Sequence, residues 1–278
     1  MRIGFLGPEG TFSHDALLRS GRDGDAVALP TLHDAVLAVQ EARVDVALVP
    51  FENAIEGTVN PVLDTLVFEA PDVRIAGELV HPVRQCLIAG RPLELGKVSQ
   101  VISHPQPIAQ CARFLRDHLP GVPVVTVSST AEAVRMVVAG SEPHAALGPM
   151  AAAEIYGGAV LRDGVEDDPD NVTRFVWVVR DGVDALAGTG TGAPKTALLF
   201  WGRGSEAPGW LVDCLSEFAG RGVNLNRIES RPLRRGLGRY LFLLELDGAD
   251  SNPAVAAAID GLRGHADVVR VLGSFPAA

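Results

Sequence analysis

The run Asn171-Val172-Thr173-Arg174-Phe175 delivers a hydroxyl, a guanidinium and an aromatic ring together. It stands directly behind the acidic stretch Glu166-Asp167-Asp168-Pro169-Asp170 and ahead of the apolar residues 176–179. A planar cationic fork holds a carboxylate, a hydroxyl passes or donates a proton, and a ring walls off water, so the chemistry within reach is protonation of a small anion. The same five residues also suit a plain strand start, with Thr as a β-former, Arg in solvent and Phe in the core. The rest of the chain has to decide between the two.

Three more polar clusters stand where strands give way to helices. Gly7-Pro8-Glu9-Gly10-Thr11-Phe12-Ser13 follows an apolar run and opens a helix, which turns backbone N–H groups and the Thr11 and Ser13 hydroxyls toward a sheet edge. It contains neither Gly-x-Gly-x-x-Gly nor Gly-Lys-Ser/Thr, so it is no nucleotide phosphate loop. Pro50-Phe51-Glu52-Asn53-Ala54-Ile55-Glu56-Gly57-Thr58-Val59 puts an amide, Asn53, between carboxylates, and Ser103-His104-Pro105-Gln106-Pro107-Ile108-Ala109-Gln110-Cys111 opens a helix with a hydroxyl, an imidazole and an amide. His104 suits either a base or a helix cap.

The elements that must position these groups alternate. Strands are expected over 3–6 and 46–49 and helices over 11–19, 32–42 and 60–68, an α/β pattern with mainly parallel sheet. A weak repeat sets Thr31-Leu32-His33-Asp34-Ala35-Val36 and Ala47-Leu48-Val49-Pro50 beside Ser129-Thr130-Ala131-Glu132-Ala133-Val134 and Ala146-Leu147-Gly148-Pro149. In each copy a hydroxyl caps a striped helix and a short buried strand ends at Pro. Two similar lobes facing a cleft follow, with crossings near 77–84 and 163–173, so Thr173 is cleft wall and hinge at once. The lobes are expected over 1–77 plus 173–180 and over 78–172. Small and flexible residues at 181–194 then suggest a linker. Over 195–278 the order strand 196–201, helix 209–219, strand 224–230, strand 239–247, helix 252–264, strand 268–273 is a ferredoxin-like βαββαβ module.

Composition narrows the class. The chain has 278 residues, 47% hydrophobic and 21% charged, with no apolar run of membrane-spanning length. Its N-terminus enters a strand without the pattern of a secretory signal, from which a cytoplasmic location is expected. Cys86, Cys111 and Cys214 are odd in number and set in apolar surroundings, so buried thiols are expected rather than disulfides or metal ligands. Residues 1–194 carry 14 Lys/Arg against 25 Asp/Glu and residues 195–278 carry 10 against 9, which excludes a nucleic-acid binder. A chain of net charge −10 cannot steer an anion at long range, so any anion site is built locally from helix N-termini and a few arginines.

The four clusters, in this order and joined by Ile228-Glu229-Ser230-Arg231-Pro232 beyond the linker, resemble prephenate dehydratase with its C-terminal ACT domain over nearly the whole chain. The resemblance implies loss of carbon dioxide and water from prephenate to give phenylpyruvate, in a cleft between two lobes like those of periplasmic binding proteins. It implies no metal and no organic cofactor. Expulsion of the C4 hydroxyl needs a proton donor, and by the family's motif that donor is Thr173. Aromatisation supplies much of the driving force, so a positioned hydroxyl suffices. Arg174 would hold a carboxylate, Thr11, Ser13, Asn53 and Ser103 would make polar contacts, and Phe175 would shield the ring. Glu56 would orient the C4 hydroxyl or Asn53, or cap the next helix. The ACT resemblance implies phenylalanine bound between paired modules by Gly209, Leu211, Asn224, Leu225, Glu229, Ser230 and Arg231. Because its helices cover one sheet face, pairing into a homodimer or homotetramer is expected.

Two positions depart from the family pattern. Ala54 replaces the Ser that usually follows the loop asparagine, and Trp210 replaces a small Ala beside the amino-acid pocket. Arogenate dehydratase, with the same bond chemistry and a counter-charge for an amino group, stays open beside Glu52, Glu56 and Asp170. A two-lobed small-molecule sensor is the non-enzymatic alternative. With a strand expected from residue 3, chorismate rearrangement is expected to fall to another protein.

Overall fold

The computed structural model describes residues 1–183 and 192–278. The linker expected over 181–194 therefore lies mostly outside the described residues. Contacts divide the chain into two compact units, one of residues 1–71 and 79–176, the other of residues 72–78 and 177–278.

The chain begins with β1 (Arg2–Leu6), α1 (Phe12–Arg19), β2 (Asp25–Leu29), α2 (Leu32–Gln40), β3 (Val46–Asn53), the short β4 (Gly57–Thr58), α3 (Asn60–Phe68) and β5 (Val73–Pro82). There follow β6 (Cys86–Ala89), β7 (Gln100–Ser103), α4 (Pro105–Gln110), α5 (Ala112–His118), β8 (Val124–Thr126), α6 (Thr130–Ala139), β9 (His144–Gly148), α7 (Met150–Tyr156), β10 (Ala159–Asp163) and β11 (Val172–Arg180). One sheet has the order β2-β1-β3-β11-β5 with β4 on β3, and a second has β10-β6-β9-β7-β8. These are the two lobes: β5 leads the chain out of the first sheet to the second, and β11 returns it. Pairing is parallel at β1–β2, β1–β3, β7–β8 and β7–β9 and antiparallel at β6–β9 and β6–β10, so the second sheet is mixed.

Central strands read as unbroken apolar runs because helices cover both faces. Val46, Ala47, Leu48 and Val49 of β3, and Ala145, Ala146 and Leu147 of β9, are fully buried. The repeated caps form as expected: Thr31 Oγ1 accepts from Asp34 N at 3.0 Å and Ser129 Oγ from Glu132 N at 3.1 Å. The strand expected to stop at Pro50 runs on to Asn53. Its register with β1 ends at Phe5↔Leu48, so the missing N–H of Pro50 costs no bond to β1.

In the second unit β12 (Pro194–Trp201), α8 (Trp210–Ala219), β13 (Leu225–Pro232), β14 (Tyr240–Asp247), α9 (Pro253–His265) and β15 (Val268–Pro276) form an antiparallel sheet of order β13-β14-β12-β15, the ferredoxin-like arrangement. Leu198, Phe200, Leu244 and Leu246 pack with Cys214, Phe218, Ile259 and Leu262 of the helices. The alternate residues Leu199, Leu241, Leu243 and Leu272 are fully buried too. Residues of the same unit account for this: Arg270 donates to Val73 O at 3.0 Å, Lys195 Nζ meets Glu78 Oε1 at 2.9 Å, and a Cβ at Gly273 would collide with the backbone of Ile75. The sheet's second face is thus not left open, which removes the uncovered face as a reason for pairing.

Candidate functional site

Asn53, the last residue of β3, is the hub of the site. Its Oδ1 accepts from Ile55 N and Glu56 N, both at 3.0 Å, and so folds the loop that follows. Its Nδ2 donates to Asn171 Oδ1 at 2.9 Å, Val172 O at 3.2 Å and Thr173 Oγ1 at 3.0 Å. Ala54 N adds a bond to Val172 O at 2.9 Å, so the loop after β3 and the first turn of β11 are one hydrogen-bonded piece. Because Thr173 Oγ1 is already an acceptor, its own O–H is left to point elsewhere, and Thr173 lines the cleft.

That cleft, of about 630 Å³, lies wholly within the first unit and takes residues from both lobes. Thr11, Ser13, Asn53, Glu56, Thr173 and Phe175 all line it. The N-terminal ends of α1, α2, α3, α4 and α6 reach it through Thr11 to Ser13, Leu32, Asn60, Gln106 and Thr130. Among the described residues no Lys or Arg lines it, and Glu56 and His104 are its titratable side chains. Each helix end carries roughly half a positive charge and unpaired N–H groups. The cleft can hold a small organic anion through neutral donors, with a hydroxyl and an aromatic wall at its side.

Two expected contacts fall elsewhere. On a strand, neighbours point to opposite faces, so Thr173 and Phe175 face the cleft and Arg174 does not. Its Nη2 meets Glu52 Oε2 at 2.8 Å, its Nε donates to the same oxygen at 3.1 Å, and its guanidinium lies 5.3 Å from the Phe51 ring centroid. Arg174 thus braces β3 against β11 and is not among the residues lining the cleft. Ser103 is fully buried, and its hydroxyl donates to Leu147 O at 2.8 Å, which spends it on the second sheet.

The two departures from the family pattern both fall outside the cleft. Ala54 is exposed and does not line the cleft. Trp210 is 8% exposed, with ring centroids 5.8 Å from Phe200 and 6.0 Å from Phe242, and its Nε1 donates to His265 O at 2.8 Å. It is a core side chain of this unit. Of the expected effector residues, Gly209 caps α8 at φ 88, Leu211 packs on the core, and Leu225, Glu229, Ser230 and Arg231 lie along edge strand β13. Asn224 donates to Asn226 Oδ1 at 2.9 Å and Asp247 Oδ2 at 3.0 Å.

His104, Gln106 and Gln110 of the third cluster line it too, as do residues not singled out for the site, Gln85 and the hydroxyl run Ser128, Ser129 and Thr130. The signal for the last three was the helix-cap repeat, and for His104, Gln106 and Gln110 the polar helix start. His104 Nδ1 accepts from Gln106 N at 3.4 Å, the capping role.

Behind the first loop, His14 Nδ1 accepts from Gly10 N at 3.1 Å while its ring stacks on Phe5 at 4.7 Å. Burial holds the His14 imidazole below its ordinary range, against the pull of Glu9 and Asp15. Asp15 accepts from His81 at 3.0 Å and Arg19 at 3.0 Å. Burial would raise its carboxyl, but those bonds outweigh it and the net shift is downward. His81 meets the Phe175 ring edge-on at 6.2 Å, which fixes that cleft wall. All three cysteines are free and buried, and burial raises the Cys86 thiol to about 12 and the Cys214 thiol to about 11.

Residues 3–182 match the family model of prephenate dehydratase. The chain is 39% identical over 287 residues to the prephenate dehydratase of Mycobacterium sp. (strain JLS), covering 99% of this chain and 89% of the relative. The crystal structure of prephenate dehydratase from Arthrobacter aurescens in complex with L-Phe is similar at a TM-score of 0.88 and 36% identity, over 99% of this chain and 90% of that one. A structure described as GqqA, a novel type of quorum quenching acylase, is similar at a TM-score of 0.87 and 29% identity, over 100% and 98%.

Proposed function

The chain belongs to the prephenate dehydratase family, and from that membership we propose that its cleft converts prephenate to phenylpyruvate, a hydro-lyase step of phenylalanine biosynthesis. The observation that carries the mechanism is the bond from Asn53 Nδ2 to Thr173 Oγ1, which turns the threonine O–H toward the substrate. The bond from ring carbon to carboxylate breaks and its electron pair enters the ring. The C4–O bond breaks with its pair on oxygen, and the proton delivered through Thr173 lets that oxygen leave as water; solvent restores the proton. The helix N-termini hold the dianion without an ion pair to the ring carboxylate, whose neutralisation would oppose its loss. Phe175 keeps water from the ring. No cofactor enters this scheme.

In this reading residues 1–180 form the catalytic part, with lobes of 1–77 plus 173–180 and 78–172. Residues 181–194 are a linker and 195–278 an ACT module. The relative from Arthrobacter aurescens was crystallised with L-Phe; here the effector would be L-phenylalanine, at Gly209, Leu211, Asn224, Leu225, Glu229, Ser230 and Arg231. The effector lowers activity by favouring a less active arrangement, a coupling of roughly 1–3 kcal/mol. Assembly into a homodimer or homotetramer and a cytoplasmic location belong to the same proposal. Among the described residues no helix is long and apolar enough to cross a membrane.

Glu56 in the cleft favours a second substrate, since its carboxylate would pair with the ammonium of arogenate. The test is phenylpyruvate formation by the purified chain from prephenate, with and without phenylalanine, beside phenylalanine formation from arogenate. Turnover of prephenate depressed by phenylalanine is expected. Turnover of arogenate alone would reassign the substrate, and turnover of neither by folded protein would overturn the enzyme reading.

A further inference from the structure

Gln85 stands where the chain leaves β5 for the second lobe, and its backbone is fixed on both sides. Its N–H donates to Glu166 Oε2 at 2.8 Å and its carbonyl accepts from Val165 N at 3.0 Å. The residue is 0% exposed yet lines the cleft. Its Nε2 donates to Gln110 Oε1 at 3.3 Å, which engages the amine end of the amide and leaves the carbonyl. That carbonyl, Gln85 Oε1, is buried without a hydrogen-bond partner. A buried acceptor in this state costs free energy until a donor reaches it.

We propose that Gln85 is a substrate-binding residue whose Oε1 accepts the hydrogen bond of the C4 hydroxyl. This rests on the reading of the cleft as a prephenate site. Near neutral pH prephenate carries two carboxylates and a ketone, all acceptors, and one O–H donor, at C4. An orphaned acceptor in the cleft has that single partner on this substrate. With its hydrogen engaged by Gln85, the C4 oxygen turns its lone pairs away from Gln85 and toward the donor, Thr173. The backbone bond from Val83 N to Asn171 O, 2.9 Å, ties together the segments that lead to the two residues. Gln85 and Thr173 then grip the leaving oxygen from the two lobes, one as acceptor and one as donor.

The experiment compares wild type with Gln85→Met by calorimetric titration of two stable, ring-saturated dicarboxylate analogues of prephenate. The two differ only in bearing C4–OH or C4–H. Wild type is expected to bind the hydroxylated analogue at least tenfold more tightly, Gln85→Met to bind the two within about twofold, and Gln85→Glu, which keeps an acceptor, to restore the preference. An unchanged preference in Gln85→Met, or none in wild type, overturns the proposal. If Gln85 Oε1 merely served the other orphaned group, Asn171 Nδ2, through a water, the Met variant would melt lower with its preference intact, which also overturns it. Should Gln85→Met fail to fold, Gln85→Asn, with its amide withdrawn by one methylene, is expected to lose the preference in the same way. Prephenate turnover by wild type, measured separately, reports on the underlying reading independently of the binding ratio.

Discussion

Asn53 Nδ2 lies 3.0 Å from Thr173 Oγ1, across 120 residues of sequence, and the amide has no alternative but to donate. Five hydrogen bonds meet at this side chain, three given and two received. Asn53→Asp keeps its shape and loses its donors, so the Asn171 and Val172 oxygens would face a carboxylate and the Thr173 hydroxyl would turn to donate to it. The expected cost is about 2 kcal/mol or more of stability, and kcat is expected to fall by roughly a hundredfold as the Thr173 hydroxyl loses its orientation. Melting and steady-state kinetics check both; near-wild-type kcat would show that the bond orients nothing.

Arg174 is predicted to matter for stability more than for binding. Arg174→Lys gives up the two donations to Glu52 and the stacking on Phe51. With Glu52 partly exposed, a loss of about 1 kcal/mol is expected, with KM for prephenate changed less than about threefold. A KM increase of tenfold at unchanged melting temperature would return Arg174 to the role of carboxylate clamp.

Gly10 has φ +81, and a Cβ there would come within 3.0 Å of Tyr156 Cε2 and 3.3 Å of Ala152 Cα. Tyr156 also donates to Glu9 O at 2.8 Å, so the second lobe grips the first loop at this point. Gly10→Ala combines left-handed strain, roughly 1–2 kcal/mol, with displacement of that grip. A tenfold or larger drop in kcat/KM is expected, with the Tyr156→Phe variant showing a smaller drop of the same kind. Full activity in Gly10→Ala would mean that the loop adapts freely.

Stability is predicted to fall in two stages on acidification. The folded His14 holds its proton less tightly than the unfolded chain does, so its contribution is complete above the ordinary histidine value of 6.5 and is lost as pH falls through it. Asp15 is depressed below its ordinary 3.8, so its contribution is complete above that value and is lost as pH falls below it. Melting temperature against pH should show both stages. His14→Gln, which keeps an acceptor for Gly10 N–H, should lose the first; a curve flat from pH 7 to 4 in wild type would contradict this account.

Much of the site is legible before folding, for local reasons. Asn60 to Phe68 forms a helix where expected because Pro61 suits its first turn and the apolar stripe follows at once. Thr31 and Ser129 cap because a hydroxyl before a striped run has few other uses. Period-two alternation already forbids Thr173, Arg174 and Phe175 from sharing one face, and the motif's compactness hides that. Strand β2 is hard to see because only Leu29 of its five residues is buried. Gln85 gives no signal, since a lone amide beside an apolar strand looks like surface until its burial is known. Ser103 and Trp210 look available in sequence and are spent on packing in the fold.

The central claim, that Thr173 supplies the proton for the leaving hydroxyl, is tested most directly by kcat for prephenate in Thr173→Ala beside Thr173→Ser, each confirmed folded by its melting temperature. A fall of a hundredfold or more in the alanine variant with substantial recovery in serine is predicted, since serine restores the O–H at the same atom. Turnover by Thr173→Ala within a few-fold of wild type would contradict it.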